Sequence, residues 1–321
     1  MDPSLHSGLK NSIEVKDLTK KYGKFTSVDS ISFEVEQGEV FGFLGANGAG
    51  KSTTIKMLCA ILEPTSGDAM VAGYSIEKEP DMVKRNIGYM SQKFSLYTDL
   101  TVEENINFFA SVYGLKGNAL DERKKWVLNT AGLTDRKDSL TGTLSTGFKQ
   151  RLALGCAVIH EPKIVFLDEP TGGVDPISRK NFWDLINDLS TNGTTVFVTT
   201  HYLDEAEFCN RIMMIDAGKI IAGGSPGELK TKYLSNPIFE AETGNADAAI
   251  KILDNIPWIK SSAYFGEYIH ITLNKDELNN ADMRKNEIMD ILGKDNISVK
   301  RIERIAPSLE DVFVNLLEKD K

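Results

Sequence analysis

The chain has 321 residues, enough for two domains and short for three, with the larger able to bury a substantial core. Lys and Arg total 37 against 46 Asp and Glu, and the resulting net charge of −9 argues against a surface that coats nucleic acid. Cys59, Cys156 and Cys209 are odd in number and widely spaced, which fits buried thiols in a reducing cytoplasm better than disulfides or a metal site.

No stretch reaches the roughly 18 uninterrupted apolar residues of a membrane span. Residues 1–11 have no apolar core of the kind a secretory signal needs and read as a disordered leader. The protein is therefore expected in the cytosol unless a partner holds it elsewhere.

Ile13, Val15 and Leu18, followed by Ile31, Phe33 and Val35, recur with a period of two, so an antiparallel β unit is expected first. Short apolar strands at 40–44, 164–167, 195–199 and 212–215 then alternate with helical stretches, the pattern of a parallel, helix-covered sheet. A mostly helical insertion over about 93–158 interrupts it. Within the insertion, Thr101 and Glu104 form a capping box ahead of Ile106, Phe109, Val112 and Tyr113 at helical spacing. Ala217-Gly218 reads as a hairpin turn, and Ser235-Asn236-Pro237 as the boundary between domains at 12–236 and 237–321. The second domain reads strand (238–242), helix (246–255), strand (258–265), strand (267–273), helix (283–292), strand (297–305), a ferredoxin-like α+β order, with a last helix from Ser308. It holds one histidine, His270, and shows no cluster of titratable residues such as catalysis needs.

The segment from Gly45 through Ala46, Asn47, Gly48, Ala49 and Gly50 to Lys51 and Ser52 satisfies the P-loop pattern between an apolar strand and a helix opened by Thr53. Its glycines let backbone N–H groups converge on phosphate oxygens at a helix N-terminus, where unpaired donors and the helix dipole favour anions. Lys51 is expected to reach the β- and γ-phosphates of a nucleoside triphosphate, and Ser52 to ligate Mg²⁺. A second apolar strand ends in Asp168 and Glu169, at the edge where open α/β sheets bind ligands. Asp168 would hold the Mg²⁺, and Glu169 would polarise the attacking water.

Together these residues resemble the ATPases of ABC transporters, with the family's motifs in order from about Ile13 to Lys230. Leu144-Ser145-Thr146-Gly147-Phe148-Lys149-Gln150-Arg151 is similar to the family's LSGGQ segment and departs from it at Thr146 and Phe148. The resemblance assigns Tyr22 to stacking on adenine, Gln92 to Mg²⁺ and attacking water, Asp175 to a dimer contact and His201 to sensing the γ-phosphate. It also implies that the site is shared: Ser145 and Gly147 of one chain complete the ATP site at Lys51 of a second chain, identical or paralogous. Separate transmembrane permease subunits are implied as further partners, with the chain peripheral on the cytoplasmic face of the inner membrane and no nucleic acid bound. Phe94, Leu96 and Tyr97, the apolar cluster that follows Gln92, are expected to dock such a membrane partner, with internal packing nearly as good a reading for Leu96.

Within that family, the continuation FKQRLALGCAVIHEP, the TGGVDP form and the ending Ala306-Pro307-Ser308-Leu309-Glu310-Asp311-Val312-Phe313 resemble drug-resistance and lipid or polysaccharide exporters. An amino-acid importer ATPase with a regulatory C-terminal domain is the alternative within transport. A soluble ABC ATPase of DNA repair or translation is the alternative outside it.

Overall fold

The computed structural model describes residues 11–92, 96–233, 236–305 and 308–319. The leader expected over 1–11 lies almost wholly outside them, as do Phe94, Ala306 and Pro307.

In chain order, β1 (Asn11–Tyr22) and β2 (Phe25–Glu36) form a hairpin with Tyr22 paired to Phe25, and β3 (Val40–Leu44) leads into α1 (Lys51–Leu58). Then come β4 (Ser66–Val71), β5 (Tyr74–Ser75), α2 (Pro80–Asn86) and β6 (Ile87–Met90). The helical insertion holds α3 (Val102–Val112), α4 (Gly117–Ala131) and α5 (Thr146–Ala157). It is followed by β7 (Ile164–Asp168), α6 (Pro176–Thr191), β8 (Thr195–Thr200), β9 (Arg211–Asp216) and β10 (Lys219–Gly224).

These strands make two sheets: β2-β1-β4-β5, antiparallel, and β10-β9-β3-β8-β7-β6, parallel except for the β9–β10 hairpin at its edge. The period of two in β1 and β2 buries Ile13, Val15, Leu18, Ile31, Phe33 and Val35 in a core shared with Phe41, Phe43 and Phe197 of the parallel sheet. Strand β3 is buried at all five positions, as a strand covered on both faces must be. The sequence pattern missed β4, β5, α2 and β6, whose short apolar runs carry little periodicity of their own.

The capping box at Thr101 forms as read: Glu104 N–H donates to Thr101 Oγ1 at 3.2 Å, and Glu104 Oε2 accepts from Thr101 N–H at 2.8 Å. Fully buried Asn105 in the first turn of α3 ties the insertion together by donating to Thr141 Oγ1 at 2.9 Å and accepting from Tyr97 N–H at 2.9 Å.

The chain divides into two compact units between Pro226 and Gly227, within α7 (Pro226–Tyr233). The second contains β11 (Ile238–Thr243), α8 (Ala246–Leu253), β12 (Ile259–Phe265), β13 (Tyr268–Leu273), α9 (Ala281–Lys294), β14 (Val299–Ile305) and α10 (Leu309–Lys319). Its sheet order, β12-β13-β11-β14, is antiparallel throughout and is the ferredoxin-like arrangement expected from βαββαβ. Alternation along β11 and β13 sends Phe239, Ala241, Ile269, Ile271 and Leu273 into one core with residues of α8 and α9. His270, on the opposite face, pairs with Asp311 of α10.

Candidate functional site

Because β3, β6, β7 and β8 run parallel, their carboxyl ends share one edge of the sheet. The turns after them bring Gly45–Ser52, Gln92, Glu169 and His201 together from widely separated parts of the sequence. Gly50 has a φ of 112°, and a Cβ there would lie 2.6 Å from the carbonyl oxygen of Ser27, so the turn into α1 has room for glycine alone.

Glu169 is the hub. Its Oε1 lies 3.1 Å from Lys51 Nζ, and its Oε2 accepts from Gln92 Nε2 at 3.0 Å and lies 3.1 Å from His201 Nδ1. Its backbone holds a φ of 48°, in the left-handed region that a non-glycine residue enters at an energetic cost. The Glu169 N–H, fixed to Thr199 O at 3.1 Å, holds the residue there. Lys51, almost fully buried, also donates to the carbonyls of Gly45 at 2.8 Å and Ala46 at 3.2 Å. All three hydrogens of its ammonium group are thereby engaged within the chain.

Behind this hub, Ser52 Oγ donates to Asp168 Oδ1 at 3.0 Å, and Thr199 Oγ1 donates to the same oxygen at 2.8 Å. Asp168 is buried, and its charge adds to burial in pushing the Cys59 thiol and the Tyr89 hydroxyl upward in pKa. The hydroxyl of Ser52 and the carboxylate of Asp168 are hard oxygen donors of the kind Mg²⁺ takes, so the residues present fit that ion.

A cavity of about 640 Å³ opens in front of the hub, within the range of small-molecule sites. Asn47, Gly48, Gly50, Lys51, Ser52, Thr53, Gln92, Glu169 and His201 line it, together with Tyr22, Phe25 and Ser27 of the β1–β2 unit. Tyr22 and Phe25 are each at least half exposed at the hairpin end, so two aromatic rings flank the mouth. The sequence pointed to Tyr22 alone; the cross-strand pairing of Tyr22 with Phe25 around Gly23-Lys24 is the signal that finds the second ring.

Ser145, Gly147 and Asp175 are absent from the residues lining that cavity. Ser145 is the exposed N-cap of α5, and its side chain makes no capping bond. Asp175 caps α6 by accepting from Ser178 N–H at 3.0 Å, and that bond holds its carboxyl below the usual carboxylate range. The two helix starts touch each other, since a Cβ on Gly147 would lie 2.5 Å from Ser178 Oγ.

A glycine-rich phosphate cradle and a strand-end carboxylate pair, joined by Gln and His at one sheet edge, define a P-loop nucleotide hydrolase. The sequence pattern of the family described as ABC transporter matches residues 28–172. Over 220 residues the chain is 52% identical to the probable multidrug ABC transporter ATP-binding protein YbhF of Escherichia coli; that alignment covers 68% of this chain and only 38% of YbhF. Over 311 residues it is 35% identical to the linearmycin resistance ATP-binding protein LnrL of Bacillus subtilis, covering 95% of this chain and 97% of LnrL. Among solved structures it is similar to the ATP-binding cassette MJ0796, described as a dimer in a post-hydrolysis state with ADP and Pi. There the TM-score is 0.61 at 26% identity, over 66% of this chain and 98% of that one. The chain belongs to the family of ABC transporter ATP-binding proteins.

Proposed function

We propose that this chain is the ATP-hydrolysing subunit of an exporter and that two such cassettes close head to tail around two ATP molecules. The observation that carries the reading is the Glu169 hub, where Lys51, Gln92 and His201 all lie within 3.1 Å of one carboxylate at the rim of the cavity. Lys51 exchanges Glu169 for the β- and γ-phosphates when ATP enters, and the freed carboxylate then accepts a proton from water attacking the γ-phosphorus. ADP departs as the γ–β bond breaks. His201 and Gln92 hold Glu169 and the γ-phosphate in register, and Tyr22, with Phe25 beside it, stacks on adenine. Ser52 and Asp168, with Gln92, would hold Mg²⁺, which supplies charge neutralisation at the β- and γ-oxygens.

Ser145, Gly147 and Asp175 serve the neighbouring chain's site, a reading supported by their place outside the cavity of their own chain and by the dimeric MJ0796 cassette. Among the described residues no helix is long and apolar enough to cross a membrane. The translocation path is assigned to separate permease subunits on the family resemblance. Leu96, which the aromatic run after Gln92 suggested as a docking residue, is buried. Tyr97 is half exposed and packs edge-on against exposed Phe108 at 4.8 Å, and these two rings are the proposed contact with the permease. The resistance and multidrug names of the two relatives favour export. The second unit is proposed to brace or regulate the pair.

Glu169→Gln tests the reading. It should bind MgATP, fail to hydrolyse it and remain a closed dimer with two trapped nucleotides, measured by light scattering with the permease present if the isolated chains pair weakly. Hydrolysis at the wild-type rate, or a monomer under saturating MgATP in both preparations, would overturn it.

A further inference from the structure

Two short segments leave the catalytic edge. One runs from Glu169 through a turn, closed by Val174 N–H donating to Thr171 O at 3.2 Å, to Asp175 at the start of α6. The other leaves β8 at Thr200 and carries His201. Nothing in the motifs says how the two are held in register. A carboxylate that the motifs leave without a role lies between them: Glu205, whose side chain is wholly buried.

Its two oxygens are divided between the segments. Thr171 Oγ1 donates to Oε1, and Thr200 Oγ1 donates to Oε2 at 2.8 Å. Arg179, one turn into α6, places its Nε 3.4 Å from Oε1 and its guanidinium 4.7 Å from the Tyr202 ring, which itself lies 4.1 Å from the His201 ring. Thr200 Oγ1 also accepts from Tyr202 N–H at 2.9 Å, so the hydroxyl that donates to Glu205 shapes the turn carrying His201. Burial raises the Glu205 carboxyl above the usual range, against the two hydroxyl bonds and Arg179, which lower it. A carboxylate kept in so dry a place needs every one of these partners.

We infer that Glu205 is a positioning residue for ATP hydrolysis: it fixes His201 against the 169–175 segment and α6, and so aligns the γ-phosphate end of the site with the face offered to the second cassette. It is not among the residues lining the nucleotide cavity. Its effect falls on the geometry of Glu169 and His201, while the phosphate cradle and the aromatic rings at the mouth are built by other elements. The inference rests on the hydrolytic reading given above.

Glu205→Gln keeps the shape of the side chain but retains only one acceptor for two donating hydroxyls and loses the charge facing Arg179. Misplaced catalytic groups commonly cost up to about a hundredfold, so kcat should fall roughly ten- to a hundredfold while KM for ATP stays within about twofold. Thr171→Val should reproduce this split, and Thr171→Ser, which restores the hydroxyl, should recover most of the rate. Melting temperatures of all three are read alongside, and if Glu205→Gln does not fold, the Thr171 pair decides. Wild-type kcat in both Glu205→Gln and Thr171→Val, a KM that rises in step with the loss, or Thr171→Ser as impaired as Thr171→Val would each overturn the inference. Glu169→Gln is assayed in parallel. If it too hydrolyses ATP normally, the hydrolytic reading has failed; if it is inactive while Glu205→Gln is normal, only the positioning role has failed.

Discussion

Lys51 is held by Glu169, and under the proposed function that carboxylate competes with the phosphates of ATP for the lysine. At 3.1 Å and an effective dielectric of about 20, the gross attraction of this pair is ~5 kcal/mol, most of it offset by the cost of keeping two charges away from water. Glu169→Gln removes the competing charge and the repulsion between a carboxylate and the incoming γ-phosphate. A net gain of about 1–2 kcal/mol in ATP affinity is expected, roughly five- to thirtyfold in Kd. Under the proposed function the same substitution removes the group that accepts the proton, which should cost on the order of 10²–10⁴ in rate. The two effects have opposite signs and are separable: equilibrium titration with a fluorescent ATP analogue reads the first, and single-turnover phosphate release reads the second. Weaker binding by Glu169→Gln would show that Glu169 does not restrain Lys51. A rate loss below about tenfold would show that the proton goes elsewhere.

Three further outcomes follow from the structure. The His160 ring stacks on Tyr113 at 3.5 Å, and burial lowers its pKa from 6.5 to about 4, with the Ile87 carbonyl opposing and Arg123 assisting. Between those two values the unfolded chain binds the proton that the folded chain refuses, so stability should fall as pH drops from about 6.5 toward 4. At face value the difference is about 3 kcal/mol; solvent screening of this half-buried ring reduces the expectation to about 1–2 kcal/mol. Replacing His160 with Gln should flatten that part of the melting-temperature profile. In the second unit, burial raises the Asp311 carboxyl, but bonds from His270 and Ser308 outweigh it and hold it below its usual range. Asp311→Asn should therefore cost about 1–2 kcal/mol in a neutral-pH melt, and the gap to wild type should close as acid protonates Asp311. Finally, Gly147→Ala should lower the melting temperature, whereas Ser145→Ala should leave it unchanged and still depress ATPase activity.

The parts of the site legible in the sequence are those carried by contiguous residues. The 45–52 turn and the Asp168-Glu169 pair each announce their chemistry locally, because a strand, a sharp turn and a helix must follow one another there. Contacts that close the site across long separations had no such signal. Thr199 completes the environment of Asp168 from 31 residues away, and Thr171 meets Glu205 across 34. In the sequence each of these threonines looks like an ordinary β-former. Leu96 was open to either reading for the complementary reason: its place at the start of the insertion suggests exposure and its apolar side chain burial, and the hydrogen bonds of Asn105 to Tyr97, which fold that turn back onto the insertion, accompany the burial. The second unit was legible in its order of elements, yet its His270–Asp311 pair joins a strand to a helix 41 residues later and could not be read from either.

Ser145 and Gly147 sit two residues apart in the same motif, and the structure gives them different reasons to exist. Glycine at 147 is already demanded by this chain alone: any Cβ would come within 2.5 Å of Ser178 Oγ on α6, so its presence does not by itself argue for an approaching phosphate. Ser145 is the reverse case. A serine at a helix N-cap ordinarily accepts a bond from the first turn, and losing such a bond costs about 1 kcal/mol. Here the side chain makes none, and it is exposed at the start of a twelve-residue helix with its hydroxyl uncommitted. An uncommitted hydroxyl beside the free N–H groups of a helix start suits a phosphate, and the cavity of its own chain does not include it. The proposed second cassette supplies that phosphate. Ser145→Ala thus removes no stabilising contact within the chain, and a melting temperature equal to wild type with a several-fold lower kcat would place its partner on the neighbouring protomer. A fall in melting temperature without a fall in rate would make Ser145 a helix cap and nothing more.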